Sequence, residues 1–175
     1  MLKIVLIVAV LAILGVLALA ATRPNTLKVQ RAIAIKAPPG RIYALIDDFH
    51  RWSAWSPYER KDPGMKRSFA GAASGQGAVY AWDGNNNVGS GRMEIVRADQ
   101  PSKVVIKLDF SRPMEGHNIA TFTLEPDGEA TRVTWAMEGP TPFMGKLMGL
   151  VFNMDRMIGG DFDTGLANLK AAAEA

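Results

Sequence analysis

From Ala78 to Pro140 the chain alternates apolar and polar residues with a period of two, and no other feature restricts the fold as strongly. Ala78, Tyr80 and Trp82 alternate with Val79, Ala81 and Asp83; Gly89, Gly91, Met93 and Ile95 oppose Arg92 and Glu94. Val104, Ile106, Leu108 and Phe110 oppose Lys103, Lys107 and Asp109, and the pattern continues through Ala120, Phe122 and Leu124 to Val133, Trp135 and Met137. Turn residues separate these runs at Asp83–Asn87, Asp99–Pro101, Arg112–Gly116 and Pro126-Asp127-Gly128. Strands of this kind form an antiparallel sheet with one wet face, and the dry face needs a cover. The last segment supplies one. Phe143, Leu147, Leu150, Val151, Met154, Ile158, Phe162, Leu166 and Leu169 recur at helical spacing, which predicts a long C-terminal helix bent or broken at Gly159-Gly160, with Asp161 capping its second half. The fold class is α+β.

Upstream, Val29, Arg31, Ile33 and Ile35 mark a short strand, and Pro38-Pro39 then open a helix whose apolar face carries Ile42, Leu45 and Ile46. Asp48 to Pro57 forms an aromatic turn with Trp52 and Trp55. Met65 to Ala70 reads as an edge strand. Gly71 to Gly77 reads as a hairpin connection, because it lacks the Lys-Ser/Thr ending of a phosphate loop.

Ile33, Ile35, Ala37, Pro38, Pro39, Ile42, Ile46, Asp48, Trp52, Trp55, Ser56 and Pro57 together resemble the opening of the START-like superfamily (Bet v 1-like, SRPBCC), most closely its polyketide cyclase/dehydrase-like branch. Gly77 with Tyr80 and Trp82, Gly89 and Gly91 with Met93 and Ile95, Thr134-Trp135, and Gly165-Leu166 with Leu169-Lys170 extend the resemblance over about residues 28–172. It implies a helix-grip fold, in which a curved antiparallel sheet wraps a long C-terminal helix around a cavity. Function is left open by the resemblance, since one fold hosts carriers, receptors and cyclases alike.

Ile4 to Ala21 is a run of eighteen uncharged, nearly all apolar residues, long enough to span a bilayer. A cleaved signal peptide is the rival reading, because Ala18-Leu19-Ala20 fits a small-x-small site, but the length favours an uncleaved anchor. The expected organisation is an anchor or signal over 1–22, a tether over 23–28 and a START-like domain over 29–174. Lys3 on one side and Arg23 with Lys28 on the other nearly balance the positive-inside rule. A signal-like N-terminus then places the domain on the extracytoplasmic side. The chain has no cysteine, so neither a disulfide framework nor a thiolate metal site can form. Its formal charge of +3 is dispersed, which argues against a nucleic-acid groove. Oligomeric state has no signature.

The candidate ligand-cavity residues are Trp52, Trp55, Tyr80, Trp82, Met93, Phe110, Phe122, Trp135, Met144 and Met148: aromatics and methionines that either fill a core or line a pocket. Gly89 and Gly91 mark a bulge or a close approach on the same face. No catalytic set stands out. His50 and His117 lack carboxylates at metal-ligand spacing, and there is no nucleophile elbow or dinucleotide loop, so no metal and no cofactor is expected. Tyr80, Asp109, Arg112 and His117 are the groups an acid–base reaction would draw on. The leading expectation is a membrane-tethered domain binding a lipid or other small hydrophobic molecule, under a lid made of Ser111–Gly116 and Thr141–Gly149. A cyclase/dehydrase-like enzyme and a ligand-free interaction module are the alternatives.

Overall fold

The computed structural model describes residues 1–175. Seven strands form one antiparallel sheet: β1 (Thr26–Ile35), β2 (Lys66–Gly71), β3 (Ala78–Asp83), β4 (Ser90–Asp99), β5 (Lys103–Arg112), β6 (Gly116–Asp127) and β7 (Ala130–Pro140). Their order across the sheet is β1-β7-β6-β5-β4-β3-β2. The period-two residues face inward as their spacing requires. Met93, Ile95, Val104, Ile106, Leu108, Ala120, Phe122, Leu124, Val133, Trp135 and Met137 are all buried. Pro126 does not belong to a turn: it stays in β6 opposite Thr131, and the reversal falls on Gly128 and Glu129, with Gly128 at φ +63°.

Both readings hold where the chain enters β4, since a Cβ at Gly89 or at Gly91 would strike a backbone carbonyl, that of Arg112 or of Asp109, beside a register irregularity. Gly89 takes φ +63° beside a register irregularity at Ser90/Gly91, where the chain turns into the strand. Gly91 lies under Trp82, whose Cη2 would stand 2.6 Å from a Cβ there.

The connection between β1 and β2 carries α2 (Pro39–Ile46), a 3₁₀ helix (Phe49–Ala54) and α3 (Pro57–Lys61). Pro38 is extended at the N-cap and Pro39 occupies the first helical turn of α2. At the other end, the Trp55 indole N–H donates to the Leu45 carbonyl at 2.8 Å and that of Trp52 donates to Ile46 at 2.9 Å. The two tryptophans thus satisfy carbonyls that a helix C-terminus leaves unbonded.

The C-terminal cover is two helices, α4 (Phe143–Val151) and α5 (Met154–Glu174). The break expected at Gly159-Gly160 lies instead at Phe152-Asn153, and both glycines sit inside an unbroken α5. Asn153, not Asp161, is the cap: its side chain accepts from the Arg156 N–H at 2.9 Å. Gly159 serves close approach, since a Cβ there would overlap the Arg31 guanidinium that clamps Asp155 (3.0 Å) and Asp163 (3.3 Å). Gly165 does the same under Trp135, whose Cζ3 lies 2.7 Å from the Cβ position.

α1 (Leu2–Ala21) stands outside this body; Ala20 is its one buried residue and α4 is its packing partner. Twenty residues span about 30 Å. The link to β1 is bolted to the start of α4. Asn25 accepts from the Thr141 N–H through its carbonyl (2.7 Å) and from Lys146 Nζ through its side chain (2.6 Å).

Candidate functional site: a cleft between sheet and C-terminal helices

α4 and the first turns of α5 do not close down on the sheet, and a cleft of about 1020 Å³ remains between them. Trp82, Met93, Leu108, Phe110 and Met137 line it from the sheet, with Leu150 of α4 and Ile158 and Phe162 of α5 opposite. Its mouth runs between Pro113-Met114-Glu115 and the segment from Arg23 to Lys28. The interior is therefore not packed shut.

Six of the ten expected cavity residues line this cleft: Trp52, Tyr80, Trp82, Met93, Phe110 and Trp135. Trp82 is held there by its N–H, which donates to the Val88 carbonyl at 3.0 Å, and Phe110 meets it edge-on at 5.7 Å. Trp135 stacks on Phe162 at 4.0 Å, tying the sheet to α5. The other four lie elsewhere. Trp55 and Phe122 are wholly buried and pack edge-on to each other in the closed part of the core, 5.9 Å apart. Met144 and Met148 are exposed, because α4 turns Gly145, Gly149 and Leu150 to the cleft and leaves the methionines outside. Helical spacing places Met144 and Met148 on one face; it does not say which face meets the sheet.

One wall is polar, and no motif or spacing announces it. Tyr58, Glu59, Tyr80 and Asp161 all line the cleft. The Tyr80 hydroxyl donates to Glu59 Oε1 at 2.6 Å, and Arg67 Nε donates to Glu59 Oε2 at 2.6 Å. Lys61 Nζ donates to both Asp161 oxygens at 2.7 Å, and Tyr58 lies beside the same carboxylate. Burial first, and then the facing carboxylate, hold both phenols protonated well above the ordinary tyrosine range. Tyr58, Glu59 and Lys61 come from α3, a five-residue helix with no hydrophobic period to betray which side faces in. Among buried side-chain nitrogens and oxygens, Trp135 Nε1 alone has no hydrogen-bond partner.

The histidines lie off the cleft. His117 is exposed and pairs with Asp109 at 2.7 Å; that bond, with Lys107 beside it, holds the Asp109 carboxyl below the usual carboxylate range. His50 accompanies Asp48 at 2.9 Å and stacks on Phe69 at 4.2 Å, next to a separate shallow pocket of about 200 Å³. Arg112 reaches the cleft mouth, where it is paired with Asp83. No group of three or more His, Asp or Glu side chains is arranged to hold a metal ion.

Residues 26–174, the whole body after α1, match the sequence model of the family described as polyketide cyclase/dehydrase and lipid transport. The chain belongs to this family. Solved structures with the same fold include a Chromobacterium violaceum protein (TM-score 0.59, 18% identity, covering 87% of this chain and 99% of that one). The major latex-like protein 151 of Panax ginseng is also similar (TM-score 0.62, 15% identity, 87% and 100% covered). A third is BexL, a di-domain aromatase/cyclase of the BE-7585A biosynthetic pathway (TM-score 0.62, 11% identity, 90% and 53% covered). At these identities the likeness shows the fold alone. No curated protein matches the sequence. For this member of the family, the cleft is where the fold leaves room for a ligand.

Proposed function

We propose that this family member is a membrane-anchored binding domain that takes a lipid or other small hydrophobic molecule into the cleft without covalent chemistry. The observation that carries this reading is an open cleft of about 1020 Å³ walled by Trp82, Met93, Leu108, Phe110, Met137 and Phe162. Apolar ligand surface buried there yields about 25 cal/mol per Å² before association costs. The apolar α1 beside the mouth, and the family's association with lipid transport, support a hydrophobic ligand reaching the cleft from a bilayer. The loop at Pro113-Met114-Glu115 and the segment from Arg23 to Lys28 form the two lips of the open mouth.

Native mass spectrometry with lipid extraction, on the domain from Thr26 to Ala175 purified without detergent, tests the reading. A stoichiometric hydrophobic species is expected. A stable, empty domain that also takes up no fluorescent lipid would sink it.

A cyclase/dehydrase-like activity is the second reading, favoured by the Tyr80–Glu59–Arg67 group inside the cleft. Tyr80→Phe would then abolish turnover while leaving substrate binding in place.

A further inference from the structure

We propose that the cleft selects a neutral ligand bearing a hydroxyl group, which it seats against the wall formed by Tyr58, Glu59, Tyr80 and Asp161. This rests on the hydrophobic-ligand reading and adds the chemistry of the ligand's polar end.

The argument follows from where the protons are. Tyr80 has committed its proton to Glu59, and the second Glu59 oxygen is taken by Arg67. What this pair turns to the cleft is oxygen lone pairs. On the neighbouring side Asp161 is bound by Lys61 and again presents carboxylate oxygen beside a phenol. Arg67 and Lys61 do not line the cleft; they sit behind the carboxylates and neutralise them. The wall is thus rich in acceptors yet close to neutral. At this wall a fatty carboxylate would meet oxygen whose own donors are already engaged, and a hydrocarbon would leave the acceptors desolvated; the cations that line the cleft, Arg23, Lys28, Arg112 and Lys146, come from other elements than the wall. A hydroxyl donates into such a wall without bringing charge.

The test uses the full chain in phospholipid nanodiscs and three probes, 1-pyrenemethanol, 1-methylpyrene and 1-pyrenecarboxylate. Energy transfer from tryptophan to pyrene reports occupancy, and each affinity is referred to the probe's partition into empty nanodiscs. The alcohol is expected to bind about tenfold more tightly than methylpyrene, the scale of one hydrogen bond in an apolar site, and more tightly than the carboxylate. In the Glu59→Gln/Asp161→Asn double variant, which puts amide N–H donors into the wall and leaves Arg67 and Lys61 uncompensated behind it, the preference for the alcohol over the carboxylate is expected to vanish while methylpyrene binds as before. Equal binding of alcohol and methylpyrene by the unaltered chain overturns this inference and leaves the hydrophobic-ligand reading standing. So does a preference for the carboxylate, or one for the alcohol that survives the double variant. Failure of every probe to bind overturns both.

Discussion

Trp52 and Trp55 stand three residues apart and do different work. Trp52 caps the Ile46 carbonyl and shows a face to the cleft, whereas Trp55 caps the Leu45 carbonyl from the fully buried core. The Trp55→Phe variant leaves that carbonyl without its donor and opens a small void. An unmet buried hydrogen-bonding group costs about 1–3 kcal/mol, so the variant is expected to lose about 2–3 kcal/mol in urea unfolding of the domain. A loss under about 0.5 kcal/mol would mean that the indole N–H is not a cap. Neither role is visible in the letters alone, since a tryptophan that caps and one that lines a pocket look the same in a motif.

At the scale of elements, the sheet was legible and the C-terminal cover was only half so. Period-two alternation assigns Met93, Ile106, Phe122 and Trp135 to the inner face because strand geometry leaves two faces and polarity selects one. The glycines of α5 misled for a physical reason. Read locally, Gly159-Gly160 is a weak point in a helix, but what requires Gly159 is Arg31, far away on β1. The true break had a local signal in Asn153, a good N-cap residue followed by Asp155 in the first turn. A pair of variants separates the two accounts. Gly160→Ala meets open space inside a helix and is expected to stabilise the domain by about 0.5–1 kcal/mol in thermal or urea unfolding. Gly159→Ala gains the same propensity but pushes the guanidinium off Asp155 and Asp163, and is expected to show no net gain. Were α5 broken at this point, Gly160→Ala would destabilise instead. The polar wall was the least legible part, because its members come from α3, β3 and α5 and meet only in the folded chain.

At the scale of the whole molecule, an exposed apolar helix is joined to a ligand-sized cleft through a link that cannot swing freely, since Asn25 is bonded to Thr141 and Lys146. The full chain is expected to stay with membranes through an alkaline carbonate wash, and a chain starting at Thr26 to be released by it. A product of the full-length gene recovered in the soluble fraction, shortened to a new N-terminus near Ala21, would show α1 to be a cleaved signal instead. The sheet order has a further consequence, for how the molecule is made. From β2 to β7 every strand pairs with its neighbour in sequence, so that meander can assemble hairpin by hairpin as the chain emerges. β1 alone waits: Thr26 finds its partner only at Pro140, after every other strand of the sheet has been synthesised. Until then its edge is open and its apolar residues uncovered, which makes the interval before β7 appears the time when a newborn chain is most exposed to mispairing with another copy.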